Sequence, residues 1–409
     1  MDGLDMEMRR TGGSVGNLGI IAARNVCDAL PRGVSLLMKT GQREQSRAGP
    51  VLVAPGPVIT ITWLPTERVL FSAVRDANPF FHLVESIWML AGRGDAATLN
   101  HYVGDFGERF AENGGVIHGA YGHRWRRALG FDQLDHVVET LRRDPTSRQC
   151  VIQMWDATEG GAAYGDGGYH QHDLRGEWKD RPCNTHVDLR VRETPSAQVT
   201  ALGSELMMTV PVLDLTVCCR SNDAIWGAHG ANAVHFSVLQ EYLAARIGVG
   251  VGTMYQWSNN YHAYESELEN LTRRAARIAK RETDQATLSA HLVDDRYDRA
   301  YVKPMSMFTA GQYVDEDVRR FFNWHDSMEA WPYRPDLKKQ PDHVNRWFEV
   351  VLERACLAHW YWRNSRGAAT AGLEKTAEAH RRDAVATAAL IEDAAWSIAC
   401  REWIERRVR

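Results

Sequence analysis

The stretch 181–189, Arg-Pro-Cys-Asn-Thr-His-Val-Asp-Leu, constrains this chain more than any other. From His186 to Arg192 polar and apolar residues alternate, the period of a half-buried strand whose Val187, Leu189 and Val191 point to a core. Pro182 ends whatever precedes, so Cys183 sits immediately before the strand. Arg181, Asn184, Thr185 and His186 give the sulfur a polar neighbourhood. Two readings of Cys183 stay open on these residues alone: an inert free cysteine, the commoner kind, and a nucleophile.

Further strands are predicted at 58–63, 150–155, 213–219 and 253–257, all rich in β-branched or aromatic residues. Asp132 can cap a helix over 133–143, with Pro145 beyond its end. A second helix over 232–246 carries Val234, Val238, Leu239, Tyr242 and Leu243 on one stripe, and Gly248 follows it.

A chain of 409 residues can bury a large core, and its 44% hydrophobic and 24% charged residues are those of a globular protein in water. A net charge of −4 argues against nucleic acid binding as a bulk property, while leaving room for a local basic pocket. The seven cysteines form no CxxC pair, which fits a reducing cytoplasm better than disulfides or a structural zinc site; no metal is expected. Asp2, Asp5 and Glu7 precede any apolar run, unlike a secretory signal, and no apolar stretch reaches the ~18 residues of a membrane span. A cytoplasmic protein is expected.

Residues 1–50, weakly patterned and rich in Gly, Arg and Ser, read as a partly ordered arm. Residues 51–270 read as the main folded domain and 271–409 as a mainly helical extension packed on it. The segment 166–179 reads as a solvated loop, in which His170 and His172 are weak metal candidates. Residues 273–281 make a basic helical face and 367–409 an Ala-rich helical region, read as solvated faces of packed helices.

Four more segments carry more directional polar groups than a core needs. Glu85 interrupts an apolar helix at 81–92, where a carboxylate is costly unless paired or used. Residues 119–125 are a glycine-bracketed aromatic turn, and Arg220, Ser221, Asn222 and Asp223 crowd the exit of a strand. His262 and Tyr264, two apart, face one side of an extended segment.

In this order, from about Arg47 to Glu265, the motifs resemble the thymidylate synthase family, which includes the pyrimidine nucleotide hydroxymethylases. Pro182-Cys183 resembles the family's nucleophile, Arg220-Ser221-Asn222-Asp223 its Arg-Ser-x-Asp, and Asn232 its base-reading asparagine. His262 and Tyr264 are similar to its sugar-holding His-x-Tyr, Glu85 to the glutamate of its Glu-Leu-Leu-Trp helix, and Tyr121 to its Tyr-Gly turn. The resemblance implies an α+β fold, a mixed sheet packed with helices, here with the helical C-terminal extension. It also implies a folate-dependent one-carbon transferase acting on a pyrimidine nucleotide monophosphate, with 5,10-methylenetetrahydrofolate as cosubstrate.

The roles it implies follow the chemistry. C5 of uracil becomes nucleophilic once a thiolate, that of Cys183, adds at C6. Arg220 would favour the ionised sulfur, and Glu85 would serve as acid and base. Tyr121 and Asp223 complete the implied catalytic set. Asp223 and Trp88 are implied folate contacts. Arg47, Arg220 and Ser221, with Arg148 from the partner of a homodimer, are the implied phosphate site, where forked guanidinium donors suit a dianion.

Several departures favour a hydroxymethylase, making 5-hydroxymethyl-dUMP from dUMP, over a thymidylate synthase making dTMP. Asn222 stands where synthases usually have cysteine, as in phage hydroxymethylases. The stretch 104–110 lacks the tryptophan that screens the methylene intermediate, with Phe106 beside its place. Asn184 replaces the histidine that follows the nucleophile in synthases, and the chain runs on past the usual folate-closing tail; separately, only one arginine stands at 147–149 where the family pattern usually has two, which weakens the implied cross-subunit phosphate contact. Asn232, one position later than an ungapped match, predicts uracil, since an amide both donates and accepts. A catalytically silent nucleotide-binding or assembly protein is the alternative from another class, and DNA contact by the terminal helices a lesser one.

Overall fold

The computed structural model describes residues 18–155, 173, 177–199, 205–298, 302–309, 314–328 and 341–408, with the backbone alone at 196–199, 205 and 206. The first elements are β1 (Gly19–Ala23), α1 (Val26–Thr40), β2 (Gln42–Ser46), β3 (Gly49–Val53), β4 (Val58–Thr62) and α2 (Pro79–Leu90). Then come α3 (Gln133–Arg143), β5 (Val151–Gln153), β6 (Asn184–Val199), β7 (Glu205–Cys219), the two-residue β8 (Asn222–Asp223), α4 (Asn232–Ile247), β9 (Gly250–Ser258), β10 (Tyr261–Tyr264) and α5 (Glu265–Ala279). Four long helices close the chain: α6 (Val314–Met328), α7 (Arg354–Thr370), α8 (Glu374–Ala389) and α9 (Ala394–Val408).

A six-stranded sheet runs in the order β1-β4-β9-β7-β6-β5, and a four-stranded one in the order β2-β3-β10-β8. The first is mixed, since β1 pairs with β4 and β7 with β9 in parallel while β4–β9, β5–β6 and β6–β7 are antiparallel. This is the expected α+β class. Val187 and Leu189 of β6 are buried as their alternation predicts, and Asp132 accepts from the Leu134 and Asp135 N–H groups to start α3. Gly248 adopts the left-handed conformation (φ 93°) that ends α4.

The arm expected at 1–50 is corrected by this fold. Residues 1–17 lie outside the described ones, but β1 pairs with β4, and α1 buries Val26, Leu30, Val34 and Leu37 at helical spacing. Pro31 and Gly33, which weaken the local helical signal, lie inside α1. Gly33 is required by packing: a Cβ there would lie 2.0 Å from the Tyr261 hydroxyl.

The terminal helices share the core of the sheet instead of forming a separate one. A single apolar cluster runs from Trp88 of α2 to Trp396 and Trp403 of α9. Phe80 of α2 meets the Trp403 ring edge-on at 5.5 Å and His359 of α7 at 5.2 Å. No helix among the described residues is long and apolar enough to cross a membrane.

Candidate active site

The two sheets part where β7 and β9 end. They run in parallel as far as Cys219 opposite Ser258, and their continuations pair again as β8 and β10, Asn222 opposite Tyr261 and Asp223 opposite His262. Asn259 N donates to Cys219 O and Asn222 N to Asn260 O, both at 2.9 Å, which holds the fork open. Arg220 N donates to Cys183 O (2.9 Å), so the residue before β6 is pinned beside the exit of β7. Strand ends at such a fork leave backbone and side chains to face a ligand.

Cys183 lines a cavity of about 260 Å³ at this fork, together with Glu85 and Trp88 of α2, Tyr121, Asp223 and Asn232. Each reaches it for a local reason. Asn78 accepts from Phe81 N and Pro79 occupies the first turn, starting the buried helix that carries Glu85 and Trp88. Gly122, beside Tyr121, lets the aromatic turn lie on that helix, since a Cβ would fall 1.9 Å from the Met89 carbonyl oxygen. Asp223 accepts from Ile225 and Trp226 N–H groups, capping the wide helical turn Ala224–Ala231 that delivers Asn232. Asn232 Nδ2 donates to Asn222 Oδ1, and Asn222 Nδ2 to Ser258 Oγ, both at 3.0 Å.

Burial raises the Cys183 thiol pKa, and the nearby Asp180 carboxyl raises it further; the Arg220 guanidinium and the Tyr121 hydroxyl oppose both. Arg220 thus acts in the expected direction but is outweighed, and the thiol proton has to be removed during attack. Asp223 is likewise raised by burial, against its backbone donors, His262 and Arg75.

A family model described as thymidylate synthase matches residues 73–313. The chain belongs to the thymidylate synthase family. Within it, the chain is similar to a deoxyuridylate hydroxymethyltransferase of Pseudomonas phage M6, with 36% identity over 95% of this chain and 94% of that one. It is also similar to proteins of the same description from Bacillus phage SP01, 29% identical over 64% of this chain and 63% of that one, and from Delftia phage PhiW-14, 27% identical over 62% and 65%.

The other residues singled out by the family resemblance lie outside the lining of this cavity. Arg220, followed by Ser221, donates through Nε to Pro182 O (3.0 Å), next to Cys183, and stands over the Trp155 ring. His262 and Tyr264 stack edge-on at 5.5 Å on β10, and Arg47, in the turn between β2 and β3, lies close enough to lower the Tyr264 pKa, which burial raises. Arg148 is exposed just before β5 and does not line this protomer's cavity.

Two cavity residues escaped the sequence reading. His235 of α4 pairs through Nε2 with Glu85 at 2.8 Å, and both are buried. It lies one helical turn after Asn232, so their shared face was a usable signal. Asp180 stands three residues before the cysteine, and its carboxyl is held up to about 6, chiefly by burial. The loop leading to it is not simply solvated: Asp173 is fully buried and accepts both Arg124 guanidinium nitrogens at 2.6 and 2.8 Å, and Trp178 stacks on His118 at 4.1 Å. His170 and His172 lie outside the described residues. Among the described residues one trio suits a metal by spacing, His186, Asp188 and Cys218, and none of the three lines the cavity.

Proposed function

We propose that this chain transfers a one-carbon unit from 5,10-methylenetetrahydrofolate to C5 of dUMP and releases 5-hydroxymethyl-dUMP. The observation that carries the reading is the Cys183 sulfur in one cavity with Glu85, Tyr121, Asp223 and Asn232. The thiolate adds to C6 and makes an enolate of the ring, whose C5 attacks the one-carbon electrophile. Glu85, oriented by His235, exchanges protons with the ring oxygen and C5. Asn232, one amide hydrogen committed to Asn222, keeps its Oδ1 for the ring N3–H and its second hydrogen for O4. Arg220, Ser221, Arg47 and the partner subunit's Arg148 supply the phosphate site, His262 and Tyr264 hold the sugar, and Trp88 and Asp223 meet the folate.

The names of the phage relatives support the hydroxymethyl outcome, as do Asn222 and the stretch 104–110, which holds no tryptophan and contributes Phe106 to the cavity wall. The test is incubation with dUMP tritiated at C5, with and without methylenetetrahydrofolate, followed by mass spectrometry of the nucleotide. Tritium release with a gain of CH2O is expected. A gain of CH2 would make the protein a thymidylate synthase, and no release under either condition would leave a silent nucleotide binder. Asn232→Asp should turn the preference toward dCMP, measured as the ratio of kcat/KM for the two nucleotides.

A further inference from the structure

Beside the wall formed by Phe106 and Phe110, the carboxyl group of Asp180 lines the same cavity as Cys183. The segment carrying it is clamped to the aromatic turn by the bidentate Arg124–Asp173 pair and by Trp178 stacked on His118. Lys179 N donates to Glu112 Oε1 (2.7 Å) and Lys179 Nζ to Glu108 O (3.3 Å), fastening the next residue to the helical turn Phe106–Phe110. Asp180 is thereby aimed inward over Gly119, so closely that a Cβ on Gly119 would lie 2.2 Å from Asp180 Oδ2. Asp180 is half-buried there, with the Arg124 and Arg220 guanidinium groups near enough to favour its ionised form.

We propose that Asp180 is the general base that activates the water which captures the exocyclic methylene intermediate. The inference rests on the one-carbon reading given above. After the folate departs, C5 carries a methylene group conjugated with the C4 carbonyl, and C6 carries the Cys183 sulfur. The water oxygen bonds to the methylene carbon, its proton passes to Asp180, and the π pair moves to the C4 oxygen as an enolate. The enolate re-forms the carbonyl and the C5–C6 double bond and expels the Cys183 thiolate; Asp180 returns its proton to solvent. No oxidant or reductant is consumed. Asp180 faces Arg124, His118 and Arg220, which favour its ionised form, and Cys183 and Tyr121, whose ionisation it opposes. Its raised pKa, about 6, suits a base working near neutrality.

The experiment compares native protein, Asp180→Asn and Gly119→Ala, the last displacing the carboxyl while keeping its charge. Single-turnover tritium release from C5 reports the steps before water addition, and hydroxymethyl product reports that addition. In both variants tritium release should persist while product per tritium falls about 10²-fold. Added 2-mercaptoethanol should trap the methylene group as a 5-thioether. Product per tritium in native protein should rise through about pH 6 and be flat with pH in Asp180→Asn. An unchanged ratio and pH profile in the variants would overturn the assignment to Asp180. So would loss of tritium release in both variants with the fold intact by circular dichroism, which would put the carboxyl at an earlier step. No tritium release from the native protein would sink the one-carbon reading itself.

Discussion

Glu85 and His235 meet at 2.8 Å between α2 and α4, and Glu353 and His343 meet at 2.8 Å in the helical extension. All four side chains are buried, and both pairs join a carboxylate to an imidazole. In the extension the groups hold one another and the backbone of neighbouring elements. His343 Nδ1 faces Asp317 at 3.4 Å, and Asp317 accepts from the Val344 and Asn345 N–H groups at 2.9 and 2.8 Å. At the fork both partners line a cavity, and His235 Nδ1 has no hydrogen-bond partner among the described residues. Polar groups packed between helices away from a cavity hold those helices together, whereas a pair that lines a cavity can also meet a substrate.

The comparison breaks most sharply at the sulfur. Cys183→Ala should abolish turnover and tritium release while nucleotide binding, followed by calorimetry with dUMP, persists; residual turnover would mean that the cavity chemistry is misassigned. Glu85→Gln should lower kcat by about 10²–10⁴-fold, as loss of an acid–base group does, with little change in Tm. His343→Ala should do the opposite. Leaving Asp317 and Glu353 buried without their shared imidazole should cost about 3–5 kcal/mol in urea unfolding, with kcat/KM of the folded protein unchanged. If His343→Ala instead lowered kcat and spared stability, the two pairs would not differ as described.

Acid tests the buried neutral histidines, the smallest effect per unit of pH. Burial lowers both His82 and His229 to about 3, and His229 Nε2 is hydrogen-bonded to the Tyr261 hydroxyl at 2.7 Å. The unfolded chain binds those protons below about 6.5, where the native protein refuses them, so stability falls on acidification from about 6.5 toward 3. The slope is at most about 1.4 kcal/mol per pH unit for each histidine. Chemical denaturation at several pH values should show it, and His229→Gln should remove one histidine's share.

Much of the sheet was legible because its signals are local. The alternation at 186–192 places β6, and Asp132 with the apolar pattern after it places α3 at 133–143. Asn232 opens α4 where the apolar stripe predicted, and His262 and Tyr264 share one side of β10. Residues 18–50 were not legible, because α1 is set by burial against Tyr261, His229 and the sheet rather than by its own propensity. His235 and Asp180 were missed for a related reason. Their meaning lies in what they face, Glu85 some 150 residues earlier in the chain and Gly119 on another turn.

The sequence by itself determined the residue types that this chemistry requires and their order along the chain: a cysteine ahead of a strand, an acid in an apolar helix, a guanidinium and an amide near strand exits. Only the tertiary structure decided that β7 and β9 part beside Cys183, that His235 answers Glu85, that Asp180 enters the cavity, and that the terminal helices join the same core. Periodicity and capping act over a few residues and can be read in one dimension. Hydrogen bonds, desolvation and excluded volume act across space, and no spacing along the chain encodes them.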